Sequence, residues 1–267
     1  MASIKKIVFF IFFCLVGQSY GQVNIVGKSG AIFTPSAEWS EHNSLIFSTS
    51  YVPSAYSINK FVGGVRRTEN IYSISVPVTG FMKIHANLTR LPEIPDSIGI
   101  GDRHFDFSFL LLKELERRPA ILLVLSPNFG WANFMSQDLI VATKSFSSNR
   151  LGLIVASMGY ASPFYLGRPP HPDVFGLPNT FKFHRKKDMD RHYLVGFFGS
   201  VKWQPRDFVA LLLEHDSQKW NMGLMLRWKE YLSVQGHLLN GKDPAFTLAT
   251  RIPLNSEPFE MRNARKK

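Results

Sequence analysis

Cysteine is almost missing from this 267-residue sequence: Cys14 is the single copy. One thiol builds no disulfide framework and no cysteine zinc site, and Cys14 itself lies in a segment that reads as removable, which would leave no thiol nucleophile either. Long apolar runs are missing too. Ile7 to Val16 spans roughly ten residues where a transmembrane helix needs about twenty, and no other segment approaches that length. His171, His184 and His192 fall in one long basic loop without metal-ligand spacing and read as solvated. A complete phosphate-binding loop is also lacking. Gly27-Lys28-Ser29 resembles the tail of a P-loop, but the position that needs the first glycine is Gln22, and Thr34-Pro35 breaks the helix that should follow. Lys28 and Ser29 therefore read as solvated linker residues.

The start of the chain has the pattern of a secretory signal. Lys5 and Lys6 form a positive region, the apolar run follows, and Ser19-Tyr20-Gly21 offers small residues before Gln22. Residues 1–21 are thus expected to be a signal peptide cut after Gly21. Cys14 follows Phe13 inside the apolar run, so lipidation through it is rejected. The formal charge is +11, or +9 without Lys5 and Lys6, concentrated in Lys182 to Arg191 and in Arg262 to Lys267. For an exported chain this excludes nucleic acid as the expected partner and favours an anionic polymer or lipid phosphate.

The rest of the chain shows period two. In FMKIHANLT from Phe81, Met82, Ile84, Ala86 and Leu88 alternate with Lys83, His85, Asn87 and Thr89. In HFDFSFL from His104, three phenylalanines alternate with His104, Asp106 and Ser108. In YLSVQGHLL, Leu232, Val234 and Leu238 oppose Ser233, Gln235 and His237. These are strands with one apolar and one polar face. Twelve such segments centre near Phe47, Ile74, His85, Phe107, Leu123, Val141, Val155, Phe197, Leu211, Leu224, Val234 and Leu248. Connections alternate: tight at Thr79-Gly80, Arg117 to Pro119, Ser147 to Asn149, Gln204-Pro205 and Lys229-Glu230, longer between. Short turns at one end and long loops at the other, with an even strand count, predict an all-β, antiparallel, up-and-down outer-membrane β-barrel of about twelve strands. Aromatics make up 13% of the chain, and Trp203, Trp220, Trp228 and Tyr231 stand at strand ends, where membrane girdles lie. A secreted, glycan-binding β-sandwich is the competing fold. The loop alternation and the polar second face speak against it.

The expected organisation is residues 22–43 as an N-terminal segment, 44–253 as the barrel and 254–267 as a basic tail. Gly27 to Asn43 can fold inside as a plug, because Pro35 prevents it from extending the sheet. Lys83, His85, Asp106, Asp138, Lys144, Lys202 and Arg227 are the expected lumen-lining set, its mixed signs suggesting a salt-bridged filling. His85, His104 and Asp106 invite a general-base reading, but paired polar residues line the lumen of any such barrel, so no catalytic residue, metal or cofactor is expected. Arg185, Lys186, Lys187 and Arg191 are the expected contacts for an anionic glycan or lipopolysaccharide phosphate.

Gly30 to Ala37 (GAIFTPSA) resembles the G-L-I-x-T-P-[ST]-A start of the YjbH family of outer-membrane proteins, which is associated with exopolysaccharide production. The likeness continues through Arg103 to Asp106 with Leu111, Leu112 and Glu114, then Arg118-Pro119-Ala120-Ile121, then Leu139 to Phe146. It resumes at Gly199 to Pro205 and at Glu214-His215-Asp216 with Asn221, Gly223 and Leu224, covering most of residues 27 to 252. The sequence departs from the family pattern at Ser108, Asn128, Gln137-Asp138 and Gly130 to Asn133. The resemblance implies a non-enzymatic barrel that assists production or export of a polysaccharide. Its partners would be that glycan or lipopolysaccharide, outer-membrane lipid and other proteins of the machinery; a structural or adhesive barrel is the alternative.

Overall fold

Alternation of polar and apolar residues turns into the two faces of a ring. The computed structural model describes residues 22–39, 44–57, 67–92, 100–127, 136–167, 182–188, 192–229 and 231–254. Residues 1–21, expected to be a signal peptide, residues 40–43, Asn128, Gly130 to Asn133, His171, Arg191 and the tail beyond Leu254 lie outside them. The strands are β1 (Ser44–Val52), β2 (Glu69–Thr79), β3 (Met82–Arg90), β4 (Ile100–Leu112), β5 (Ala120–Leu125), β6 (Leu139–Ser148), β7 (Gly152–Ala161), β8 (Phe164–Gly167), β9 (Lys182–Arg185), β10 (Gly196–Arg206), β11 (Val209–His215), β12 (Trp220–Trp228), β13 (Leu232–Leu239) and β14 (Asp243–Pro253). Twelve of them close into an antiparallel barrel in chain order, with β8 and β9 set apart as a hairpin in the connection from β7 to β10. Each of the twelve expected segments is a strand of the wall.

Closure is made by β1 on β14, from Ser44 opposite Pro253 to Tyr51 opposite Phe246. Both chain ends of the barrel therefore leave at one rim, the terminal rim. Its turns are short: residues 80–81, 149–151, 207–208 and 229–231, with 113–119 closed by a Leu115–Arg118 bridge. The opposite, loop rim carries the longer connections at 53–68, 91–99, 126–138 and 162–195, although 216–219 and 240–242 are also tight there. The turn expected at Gln204-Pro205 is displaced. β10 continues to Arg206, with a register irregularity between Trp203 and Arg206. A bulge near a rim is where a strand accommodates proline, which has no N–H for the ladder.

Polar residues face inward. Lys83, His85, Asn87 and Thr89 of β3 are buried, as are His104, Asp106 and Ser108 of β4. Phe47, Tyr72, Phe105, Ile140, Met158, Leu224, Val234 and Leu248 face out and are exposed. An apolar exterior around a polar interior is the arrangement a lipid-spanning barrel requires, and ring closure pairs every strand edge. Exposed aromatics ring both rims: Phe81, Trp203, Phe208, Trp228 and Tyr231 at the terminal rim, Tyr51, Tyr160, Phe197, Trp220 and Phe246 at the loop rim. Tyr160 meets Phe197 edge-on at 5.1 Å and His215 meets Trp220 at 5.0 Å.

Candidate functional site in the barrel lumen

The interior is occupied by residues 22–39. This segment first folds on itself. Asn24 Oδ1 accepts the N–H groups of Val26 (3.2 Å) and Lys28 (2.9 Å), and Asn24 N donates to the Lys28 carbonyl. Bridges join Val23 to Ser29 and Gly30 to Pro35. An asparagine bonding the backbone just ahead of it makes a tight turn without a sheet. Gly27 is required at the tip: its φ is +78°, and an added Cβ would lie 2.3 Å from Cβ of Ser73 on β2.

The folded segment then binds walls on several sides. Lys28 is 1% exposed and forms an ion pair with Asp106 of β4. Asp106 also bonds His104 at 2.7 Å and accepts a hydrogen bond from the Ser126 hydroxyl. The reading of Lys28 as a solvated linker residue is thus corrected; its charge is matched inside the barrel, as a buried ammonium requires. Gln22 donates to Gln235 of β13 at 2.9 Å, and Gln235 donates to the Val23 carbonyl at 2.8 Å. Ala37 N donates to Thr143 of β6 at 2.8 Å. Ile25, Ile32 and Phe33 join an apolar cluster with Leu122, Val124 and Leu212 from the wall.

Glu214 of β11 is the most heavily bonded anchor. Its Oε2 accepts N–H of Ile32 (2.8 Å), Phe33 (3.0 Å) and Thr34 (2.9 Å) and the Thr34 hydroxyl (2.7 Å). Its Oε1 accepts from Phe33 N (3.0 Å) and Asn221 Nδ2 (3.2 Å). Three successive amides turned toward one carboxylate form a small anion nest. Two stretches that resemble family motifs, Gly30 to Ala37 and Glu214 with Asn221, are therefore the two halves of one contact.

Above it, at the loop rim, His192 pairs with Asp216 at 3.1 Å and lies against Phe33 (4.8 Å) and Tyr56 (5.1 Å). Its side chain is largely buried, so the solvated reading is corrected here too. Burial works to raise the Asp216 carboxyl. The hydrogen bond and charge of His192, with donors from Asn221 and Lys219 N, outweigh it and hold the group below the usual carboxylate range. Tyr56 is pushed up to about 12 by burial and by Asp243 and Asp216.

At the terminal rim the segment ends in Glu38 and Trp39. Lys202 of β10 pairs with Glu38, and Lys83 of β3 sits 4.0 Å over the Trp39 ring. Beside them is a cavity of about 240 Å³ lined by Glu38, Trp39, Leu110, Lys113, Glu114 and Ser145 among others.

Of the expected lumen residues, Lys83, His85, Asp106 and Lys202 are buried inward and Arg227 points inward from β12. His85 bonds Ser108 at 2.9 Å beneath the segment. Asp138 lies just before β6 and accepts Ser126 N at 2.8 Å; burial pushes its carboxyl up. Lys144 departs from the expectation. Thr143 and Ser145 are the inward positions of β6, so Lys144 takes the other face and pairs with Glu114 of the rim turn at 3.0 Å. Lys186 departs as well. It is buried in a 3-10 turn after β9 and donates to the Leu194 carbonyl at 3.3 Å, so it is closed to an external glycan, while Arg185 and Lys187 stay exposed. Burial pushes Lys186 down to about 8, with Asp138 and Asp106 pulling the other way. Sequence reading passed over Glu38, Trp39 and the anchoring role of Glu214; the alternation of β11 was the one signal that pointed Glu214 inward.

The model of the YjbH family, described as exopolysaccharide biosynthesis protein YbjH, matches residues 22–267. Among solved structures, KdgM porin is similar with a TM-score of 0.42 and 6% identity, over 79% of this chain and 99% of that one. NanC porin in a rhombohedral crystal form is similar with a TM-score of 0.42 and 8% identity, over 79% and 100%. Outer membrane phospholipase A from Escherichia coli follows with a TM-score of 0.35 and 8% identity, over 80% and 92%. At these identities the likeness concerns the fold alone. No curated protein matches the chain.

Proposed function

The chain belongs to the YjbH family of exopolysaccharide biosynthesis proteins, and on that premise we propose that it is an outer-membrane barrel that assists production or export of an exopolysaccharide without catalysing a reaction. The observation that carries the reading is the sorting of side chains around the closed ring: an apolar, aromatic-girdled exterior and a polar interior already filled by residues 22–39. The exterior supports insertion in the outer membrane. The filled interior supports a scaffold or gate rather than an open pore.

The polar clusters support a non-enzymatic role. Asp106 lies between His104 and Ser126, so the Ser126 hydroxyl bonds a carboxylate and not an imidazole. Activation of a serine nucleophile needs the base on the hydroxyl. His85 and Ser108 do touch, but both are buried beneath the segment, away from any substrate.

At the loop rim Arg185 ends β9 and Lys187 lies in the 3-10 turn that follows, both exposed, and Phe183 of β9 is 79% exposed. This is a suitable contact for anionic glycan or lipopolysaccharide phosphate. The test is deletion and complementation. Cells lacking the protein should lose cell-surface or released polysaccharide and regain it with the wild-type gene. An envelope gel of heated and unheated samples should show a mobility shift in the outer-membrane fraction. Unchanged polysaccharide on deletion would remove the reading. Charge reversal at Arg185 and Lys187 should weaken binding to anionic glycan, and unchanged binding would remove that contact alone.

A further inference from the structure

The cavity of about 240 Å³ at the terminal rim lies between the end of the inner segment and the barrel wall. Its volume equals about eight waters of bulk liquid, room enough for one pyranose ring. We infer that it is a subsite for a single sugar residue of a glycan chain presented at the terminal rim. The inference rests on the functional reading above and adds the place where glycan is held.

Its lining has the composition that sugar recognition needs. A sugar ring has weakly apolar C–H faces and a rim of hydroxyls. It is held by an aromatic or aliphatic wall together with fixed hydrogen-bonding groups. Trp39 and Leu110 supply the apolar wall. Glu38 and Glu114 supply acceptors for hydroxyl protons, and Lys113 brings donors.

Both carboxylates are held in place before any ligand arrives. Glu114 Oε1 accepts Ser145 N at 2.8 Å and pairs with Lys144 at 3.0 Å, while its Oε2 accepts the Ser145 hydroxyl at 2.9 Å. Glu38 is fixed by Lys202 and by Ser36 Oγ at 3.2 Å. Lys83 packed on the Trp39 ring restrains the indole. Preorganised groups lose little freedom on binding, which favours a weakly held ligand.

Other occupants fit less well. A lipid tail would need the apolar exterior, whereas Leu110, Ala120 and Ser145 project from the inward positions of their strands. A phosphate group would face two carboxylates. Among the described residues no group of three or more His, Cys, Asp or Glu is placed to hold a metal ion.

The experiment is calorimetric titration of the refolded full barrel in detergent micelles. The probes are oligosaccharides cut by mild acid from the exopolysaccharide of the expressing cells, alongside a panel of free neutral hexoses. Wild type should bind at least one probe saturably. Trp39→Ala and Glu114→Gln should each weaken binding at least tenfold, with the heat-dependent gel shift retained. Glu114 belongs to the rim turn and not to the inner segment, so its variant tests the site even if Trp39→Ala loosens the segment. No binding by wild type, or equal binding by a folded Glu114→Gln variant, would overturn the subsite. Loss of polysaccharide on deletion together with absent binding removes this inference only; unchanged polysaccharide on deletion removes the functional reading, whatever the titration gives.

Discussion

Replacing Glu214 with glutamine tests whether one carboxylate latches the inner segment. The amide has nearly the shape of the carboxylate but one acceptor fewer. Its best orientation keeps the carbonyl oxygen where Oε2 now takes Ile32 N, Phe33 N, Thr34 N and the Thr34 hydroxyl. The new NH₂ then meets two donors, Phe33 N–H and the Asn221 amide. Asn221 belongs to the wall, so the bond lost between segment and wall is the second branch from Phe33 N, and a bond to a charged group contributes about 1.5–3 kcal/mol. Glu214→Gln should thus destabilise the docked segment by roughly 1.5–3 kcal/mol, or one to two powers of ten in its opening equilibrium. The assay is amide hydrogen exchange on the folded barrel in micelles. Protection of Ile32, Phe33 and Thr34 should fall by about that factor, while wall amides between β11 and β12 keep theirs. Exchange at the three amides within threefold of wild type would refute the latch and leave apolar packing as what holds the segment.

Other perturbations follow from the same contacts. Lys28→Met should lower resistance to urea by about 3–5 kcal/mol, because it leaves Asp106 without its buried ammonium. Lys28→Met with Asp106→Asn should regain a substantial part, as the unmatched charge is then gone; a double variant no better than the single one would count against the pair. Gly27→Ala should cost more than about 1 kcal/mol, since its φ of +78° and the approach to Ser73 both oppose a Cβ, read as a lower urea midpoint. Lys186 gives a pH signature. Its folded pKa of about 8 lies below its ordinary 10.5, so the unfolded chain binds more protons between those values. Its contribution to stability should therefore rise with pH through that window and stay at its lowest below it. Lys186→Met should gain over wild type at pH 7 and lose most of that advantage by pH 10.5 in parallel urea titrations.

The wall was legible because alternation is written locally. A strand in a barrel needs one face for lipid and one for the lumen, so FMKIHANLT and HFDFSFL carry their orientation with them. The same rule, applied strictly to LIVATKSF, sends Lys144 outward between Thr143 and Ser145; grouping it with the lumen lysines ignored its parity. The segment that fills the lumen was harder to read. Pro35 argued against a strand there, but the partner of Lys28 is on β4 and the partner of Thr34 is on β11, and no local pattern links them. Lys186 reads as an outward glycan contact and His192 as a solvated histidine because a basic loop is usually wet. The 3-10 turn after β9 tucks one inward, and Asp216 with two aromatic rings receives the other.

The connectivity of the ring has a kinetic consequence. Eleven of its twelve strand pairings join neighbours along the wall in chain order, and only β1 with β14 brings together its two ends. Neighbouring hairpins form quickly because little chain entropy is lost in closing short loops. Pairing of the ends spans the whole length of the wall and is intrinsically slow. The contacts of residues 22–39 with β10, β11 and β13 reach across comparable stretches. The slow, late events of assembly are thus gathered at the N-terminal end of the polypeptide, which is synthesised first and finds its final partners last.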